Sequence, residues 1–151
     1  MTKIAIQPKD LPVLGIYTPA FRVGNGDLIV TAGVVSVDSE GRTVGVGDAA
    51  AQARQAISNL KTVLAAGGAS LDDVIHLRVF STDMRNRDAI NKERKRVFKD
   101  PLPASTHVQI SRLVREDWLL EIEATAFVPA SRPKEASAGR NKRSAPSGRR
   151  S

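Results

Sequence analysis

A small set of residues in this chain can do chemistry, and their spacing says where. Ser105 and His107 stand two apart in the run Ser105–Ser111, so a period of two puts them on one strand face together with Gln109. A serine and an imidazole suggest a nucleophile and its base. Neighbours on a strand face do not by themselves place Oγ against a ring nitrogen, however. Taken alone, His107 is either an acid–base group near neutral pH or a satisfied interface histidine. Glu121 alternates with Leu120 and Ile122 as an outward carboxylate. Arg78 either supplies a positive charge to a site or pairs with an interface acid. Tyr17 offers a hydroxyl that can hydrogen-bond a ligand, or that simply meets water. His76 reads as a packing histidine. With no cysteine and two histidines, thiolate nucleophiles and disulfides are excluded and a metal site is not expected. Gly24-Asn25-Gly26 lies in no phosphate-loop pattern and reads as a turn.

The elements that would carry these residues follow from periodicity. Tyr17–Val23 and Leu28–Gly33 flank the Asn-Gly turn and predict a hairpin. A short strand is expected at Thr43–Val46. Asp48 can cap a helix whose apolar stripe is Ala53, Ala56, Ile57, Leu60 and Leu64, ending at Gly67-Gly68. Val74–Ser81 predicts a strand. Residues 85–99 predict a second helix anchored by Ile90, Val97 and Phe98, its charged side chains forming a solvated face. Two strands follow, one with Thr106, Val108 and Ile110 alternating against Ser105, His107 and Gln109, the other with Leu120, Ile122, Ala124 and Ala126 on one face. The order of elements predicts an α+β fold, a mixed sheet with two helices on one face. The uncovered face is then expected to hold His76, Arg78, Phe80, Ser105, His107, Gln109 and Glu121. Such a mixture suits a subunit interface with a wet cleft.

The chain has 151 residues, enough for one domain. The net charge of +7 tempts a nucleic-acid reading. Residues 130–151, however, carry seven Lys or Arg against one Glu and hold no Ile, Leu, Val, Met or aromatic residue. That segment cannot bury enough apolar surface to order itself. The expected organisation is a near-neutral domain, 1–129, and a disordered basic tail, 130–151. The tail would contact nucleic acid weakly, through phosphates alone. No apolar run approaches the ~18 residues of a membrane span, and the N-terminus lacks the order of a signal peptide. A cytoplasmic location is expected.

Six segments, in order, carry a resemblance: Leu14-Gly15-Ile16-Tyr17, Ile29-Val30-Thr31-Ala32-Gly33, Ala51-Gln52-Ala53-Arg54-Gln55-Ala56, Pro103-Ala104-Ser105-Thr106, Ser111-Arg112-Leu113 and Leu120-Glu121-Ile122-Glu123-Ala124. Over roughly 11–129 the chain resembles the RidA/YjgF family, the reactive intermediate deaminases, also labelled endoribonuclease L-PSP. The resemblance implies a chorismate-mutase-like fold, a homotrimer around a central barrel, and ligand clefts between subunits. It implies hydrolysis of reactive enamines or imines to a keto acid and ammonia, with no cofactor and no metal. Glu121 would position water. Tyr17, Ala32 and Gly33 would line the cleft.

The sequence departs from the archetype in one important place. An arginine that clamps the substrate carboxylate follows the Pro-Ala pair there, and Ser105 stands in that position here. Serine cannot replace a bidentate charged clamp. His107 stands where the archetype often has cysteine, and Ala32 where serine is common. The reading is therefore a cofactor-independent hydrolase of a small imine, enamine or related C–N metabolite, different from the archetypal 2-imino-acid deaminase. Glu121 and His107 would be catalytic, with Tyr17, Ala32, Gly33, Ser105 and Arg78 binding substrate. The alternatives are a non-catalytic ligand-binding or regulatory protein, and an RNA-binding protein or endoribonuclease.

Overall fold

The computed structural model describes residues 3–10 and 12–131. The expectation of a disordered tail concerns residues that, beyond Ser131, lie outside this range.

Eight elements run in the order β1 Lys3–Ile6, β2 Ala20–Val23, β3 Gly26–Val30, α1 Ala49–Ala66, β4 Val74–Ser81, α2 Arg87–Val97, β5 Ala104–Gln109 and β6 Leu120–Pro129. Short 3₁₀ turns at Leu71–Asp73 and Met84–Asn86 lead into β4 and α2. The main sheet has the order β3-β6-β4-β5. Its β4–β5 pair is parallel and joined through α2, while the other pairs are antiparallel. Both helices pack on one face, as the periodicity predicts. α1 forms because Asp48 accepts a hydrogen bond from the Ala51 N–H at 3.0 Å, and because its stripe at Ala53, Ala56, Ile57, Leu60 and Leu64 is buried. That stripe meets Leu77 and Val79 of β4 and Leu120, Ile122, Ala124 and Ala126 of β6 in one core cluster.

Three expectations need correction. The Asn25 turn does not make a hairpin: β2 pairs with β1, and β3 with β6. Thr43–Val46 forms no strand, only a single bridge between Val37 and Thr43. The third correction decides where the chemistry sits. The parallel register sets Ser105 beside Leu77, His107 beside Val79 and Gln109 beside Ser81, so these polar residues lie on the helix-covered face. Thr106 and Val108 take the open face instead. Alternation gave the two sets correctly but assigned the apolar set inward. The polar set can be inward because each member is hydrogen-bonded there. Ser105 Oγ accepts from Arg94, His107 bonds Ser81, and Gln109 Oε1 accepts from the Met84 N–H.

The second helix differs from expectation as well. Ile90 and Phe98 anchor it, but the adjacent Glu93 and Arg94 are also buried rather than solvated. Glu93 accepts from Arg54 of α1 and from Arg96, while Arg94 turns towards β5.

Leu77 is fully buried at the centre of the sheet. Leu77→Ala is expected to lower unfolding stability by about 2–5 kcal/mol, read from the shift in denaturation midpoint at unchanged slope.

Candidate functional site

On the open face, the residue that matters first is a glycine. The Thr31 N–H donates to Ala124 O at 2.9 Å, and the Val34 N–H to Ile122 O at 2.7 Å. Three steps along one strand oppose two along the other, so Ala32-Gly33 forms a β-bulge beyond the end of β3. The bulge disturbs the backbone ladder, and the Ala124 N–H donates to the buried Thr31 Oγ at 3.0 Å. A Cβ at Gly33 would overlap the Glu121 carboxylate, which means that this carboxylate lies directly against the Gly33 backbone. No other residue type fits at position 33 without moving Glu121.

Polar side chains of α1 hold the segment that follows. Gln55 Nε2 and Asn59 Nδ2 donate to Val37 O, and Asn59 Nδ2 also donates to Val35 O. The buried Gln52 donates to Gly45 O and Asp117 O and accepts from the Leu119 N–H. One helix therefore fixes both the loop after the bulge and the chain that enters β6.

Arg78, also on the open face, is not a free cation. Its Nε donates to Glu123, the residue opposite it on β6, at 2.7 Å. His76 lies on the same face beside Thr125. Partial burial, and then the neighbouring Arg78 charge, lower its pKa below the ordinary histidine value.

Ser105, His107 and Tyr17 lie elsewhere. His107 Nε2 and Ser81 Oγ share a hydrogen bond of 2.7 Å beneath α2, and the buried His107 Nδ1 has no partner. Burial, with Arg94 and Arg87 nearby, pushes the His107 pKa down to about 4. At neutral pH it is an uncharged imidazole. Ser105 faces Arg94 and not His107: its Oγ accepts from Arg94 Nη2 at 2.6 Å. The Ser105–His107 pairing is therefore absent, and His107 pairs with Ser81 instead. Tyr17 belongs to a turn whose Leu14 N–H donates to the Tyr17 hydroxyl oxygen at 3.4 Å. The next residue, Thr18, donates its N–H to Pro103 O at 3.2 Å, which ties this turn to the start of β5.

The predicted residues thus fall into two groups on opposite sheet faces. Gly33 and Glu121, with Ala32 exposed beside them, form one. Ser105 and His107, with the Tyr17 turn nearby, form the other. Sequence reasoning missed Arg94, whose only signal was its place one turn after Ile90. Among the described residues no group of three or more His, Asp or Glu side chains is placed to hold a metal, and no helix is long and apolar enough to cross a membrane.

The low pKa of His107 has a consequence for stability. Between about 4 and the ordinary histidine value, the unfolded chain binds a proton that the folded chain does not, so stability falls as pH drops through this window. The melting temperature of the wild-type protein is expected to decline from pH 6.5 towards pH 4 more steeply than that of His107→Gln, as followed by circular dichroism.

A family model described as Endoribonuclease L-PSP matches residues 8–128. The chain is 36% identical to 3-aminoacrylate deaminase RutC of Acinetobacter baylyi over 129 residues, 85% of this chain and 100% of the relative. It is 29% identical to a 2-iminobutanoate/2-iminopropanoate deaminase of Dermatophagoides farinae, covering 84% of this chain and 93% of that protein. The crystal structure of a protein of unknown function of the conserved Rid protein family, YyfB from Yersinia pestis, superposes with a TM-score of 0.76 at 30% identity, over 85% of this chain and 100% of that one. The bulged glycine against a strand glutamate and the two helices on one sheet face thus belong to a chain of the RidA/YjgF family.

Proposed function

We propose that the protein is a cofactor-independent hydrolase that releases ammonia from a small imine or enamine, in clefts formed between copies of the chain. The observation that carries this reading is the Glu121 carboxylate seated against the backbone of Gly33. A carboxylate held there can accept a proton from water and direct the oxygen lone pair at an electrophilic carbon. An enamine first takes a proton at its carbon to become the iminium; water then adds across C=N with one proton passing to Glu121, the nitrogen is protonated, and the C–N bond breaks as the hydroxyl loses its proton, giving a carbonyl compound and ammonia. The deaminase names of two relatives support this reaction class.

The split of the site supports the cleft. Glu121 and His107 lie on opposite faces of the same sheet, so one copy cannot bring them to one substrate. The open face of one copy, laid against the β5 edge of a second, would join the halves. Each copy would then contribute Gly33 and Glu121 to one cleft, and Tyr17, Ser105 and His107 to another. Repeated three times this closes a ring, the homotrimer that the fold family implies. His107, as a neutral imidazole, would pass a proton towards the departing nitrogen by accepting at one ring nitrogen and donating from the other.

Two measurements test this. With imines generated in situ, wild-type protein should release ammonia faster than buffer does, and Glu121→Gln should lower kcat about a hundredfold or more. Gly33→Ala should do the same by displacing Glu121, with the fold retained. Equal turnover by Glu121→Gln and wild type on every accepted substrate would falsify the role of Glu121. Second, Glu121→Gln and His107→Gln proteins, each inactive, should regain part of the wild-type rate when refolded together, because some mixed clefts would hold both intact halves. No recovery in mixed oligomers would rule out the shared cleft.

A further inference from the structure

The turn before β3 belongs to neither half of the site, yet it holds a reactive pair. Asn25 precedes Gly26, and glycine has no Cβ to shield its backbone nitrogen from the amide of the residue before it. Both residues are exposed, and Asn25 sits in the left-handed region with φ +60°. None of the described residues hydrogen-bonds the Asn25 side-chain amide.

The register shows where the Gly26 N–H points. The Thr31 N–H donates to Ala124 O, and Asn25 O accepts from the Ala130 N–H at 3.1 Å. Bonded pairs alternate along an antiparallel ladder, so Asn25, Asp27, Ile29 and Thr31 bond towards β6 and the residues between them do not. Gly26 stands opposite Pro129, which has no N–H to give. Its own N–H therefore faces the outer edge of β3, the end strand of the main sheet. An unengaged amide and an unengaged backbone nitrogen are thus adjacent in an exposed turn.

We propose that Asn25 is a site of spontaneous deamidation, and that its isoaspartyl product loosens the start of β3. The Gly26 nitrogen attacks Asn25 Cγ and gives up its proton. The side-chain nitrogen leaves with that proton as ammonia, and a succinimide ring remains. Water, the only co-reactant, opens the ring at one of its two carbonyls. One opening leaves aspartate at position 25, with the backbone unchanged and the left-handed conformation tolerated. The other leaves isoaspartate, whose main chain runs through the side-chain carbons and is longer by one CH₂. The carbonyl that accepts from the Ala130 N–H then leaves the main chain as a free carboxylate. Gly26 cannot absorb the extra length by moving towards β6, because even a Cβ there would overlap Val128 O and the Phe127 ring. The first pair of the β3–β6 ladder is displaced instead. This site uses no residue of the proposed reaction and does not depend on it.

The test holds the full chain at mildly alkaline pH and body temperature and weighs its tryptic peptides over time. The peptide Val23–Arg42 contains no other Asn or Gln, so a gain of about 1 Da in it reports position 25 alone. That peptide should convert to near completion while those holding Asn59, Asn86 and Asn91 keep their mass. Asn59 is the sharpest contrast, since its amide bonds Val35 O, Val37 O and Gln55. Chromatography should then separate two aged forms. The aspartyl form should melt with the Asn25→Asp variant, and the isoaspartyl form about 3–6 °C below it. A Val23–Arg42 mass that stays unchanged in the folded chain, under conditions where the unfolded chain converts, overturns the site. Conversion of Asn59 at the same rate does so too. Isoaspartyl chains that melt with Asn25→Asp overturn the loosening of β3.

Discussion

The parallel pairing of β5 with β4 decides the layout of the molecule's polar chemistry. A strand entering the sheet at this edge has two faces to offer, and the register Val79↔His107 gives the polar one to the helices. The rest follows as a matter of satisfying hydrogen bonds. Ser81, fully buried, needs a partner and finds the imidazole. Gln109 reaches back to the turn that begins the α2 segment. Ser105 meets a guanidinium that descends from the helix above. An unsatisfied polar group in this layer would weaken the fold, and two atoms, Arg94 Nε and His107 Nδ1, are left without a partner there.

The opposite half-site depends on a different device. A single extra residue in the strand after β3 turns the chain so that a glycine backbone, and not a side chain, meets Glu121. A bulge of this kind is stable only where its displaced backbone groups are satisfied. The Thr31 hydroxyl does this on the strand side, and Gln55 and Asn59 of α1 do it for the carbonyls beyond. The helix that supplies most of the core is thus also the clamp for the loop that shapes the open face.

Much of this was legible in the sequence, for identifiable reasons. α1 announced itself by Asp48 and by its stripe, because local capping and a 3.6-residue period need no tertiary information. β4 and β6 could be read from alternation because their inward sets are apolar. β5 was misread for the same reason: its inward set is polar, and only the pairing partner reveals which face is covered. The Asn25 turn was recognised, but the partners of the flanking strands lie elsewhere in the chain, which no turn signal encodes. Glu121 and Gly33 were named through family resemblance, and their contact could not have been read from spacing, with 87 residues between them in the chain. Arg94 was hidden inside a run of charges that reads as solvated surface.

The family resemblance points to a missing arginine after Pro103-Ala104, and Ser105 fills that place. The structure shows a guanidinium hydrogen-bonded to that same serine, delivered from α2. For the fold alone, this buried charge is a burden. A leucine or methionine of similar volume would need no hydration and leave no orphaned N–H, but it would take from Ser105 Oγ and Asn91 Oδ1 the donor they have. Position 94 thus sets the lost hydration of a cation against a hydrogen bond that ties α2 to β5, in a helix that Ile90 and Phe98 also hold down. The guanidinium is the polar link between α2 and the first residues of β5, where an apolar side chain would serve the packing and leave the serine bare.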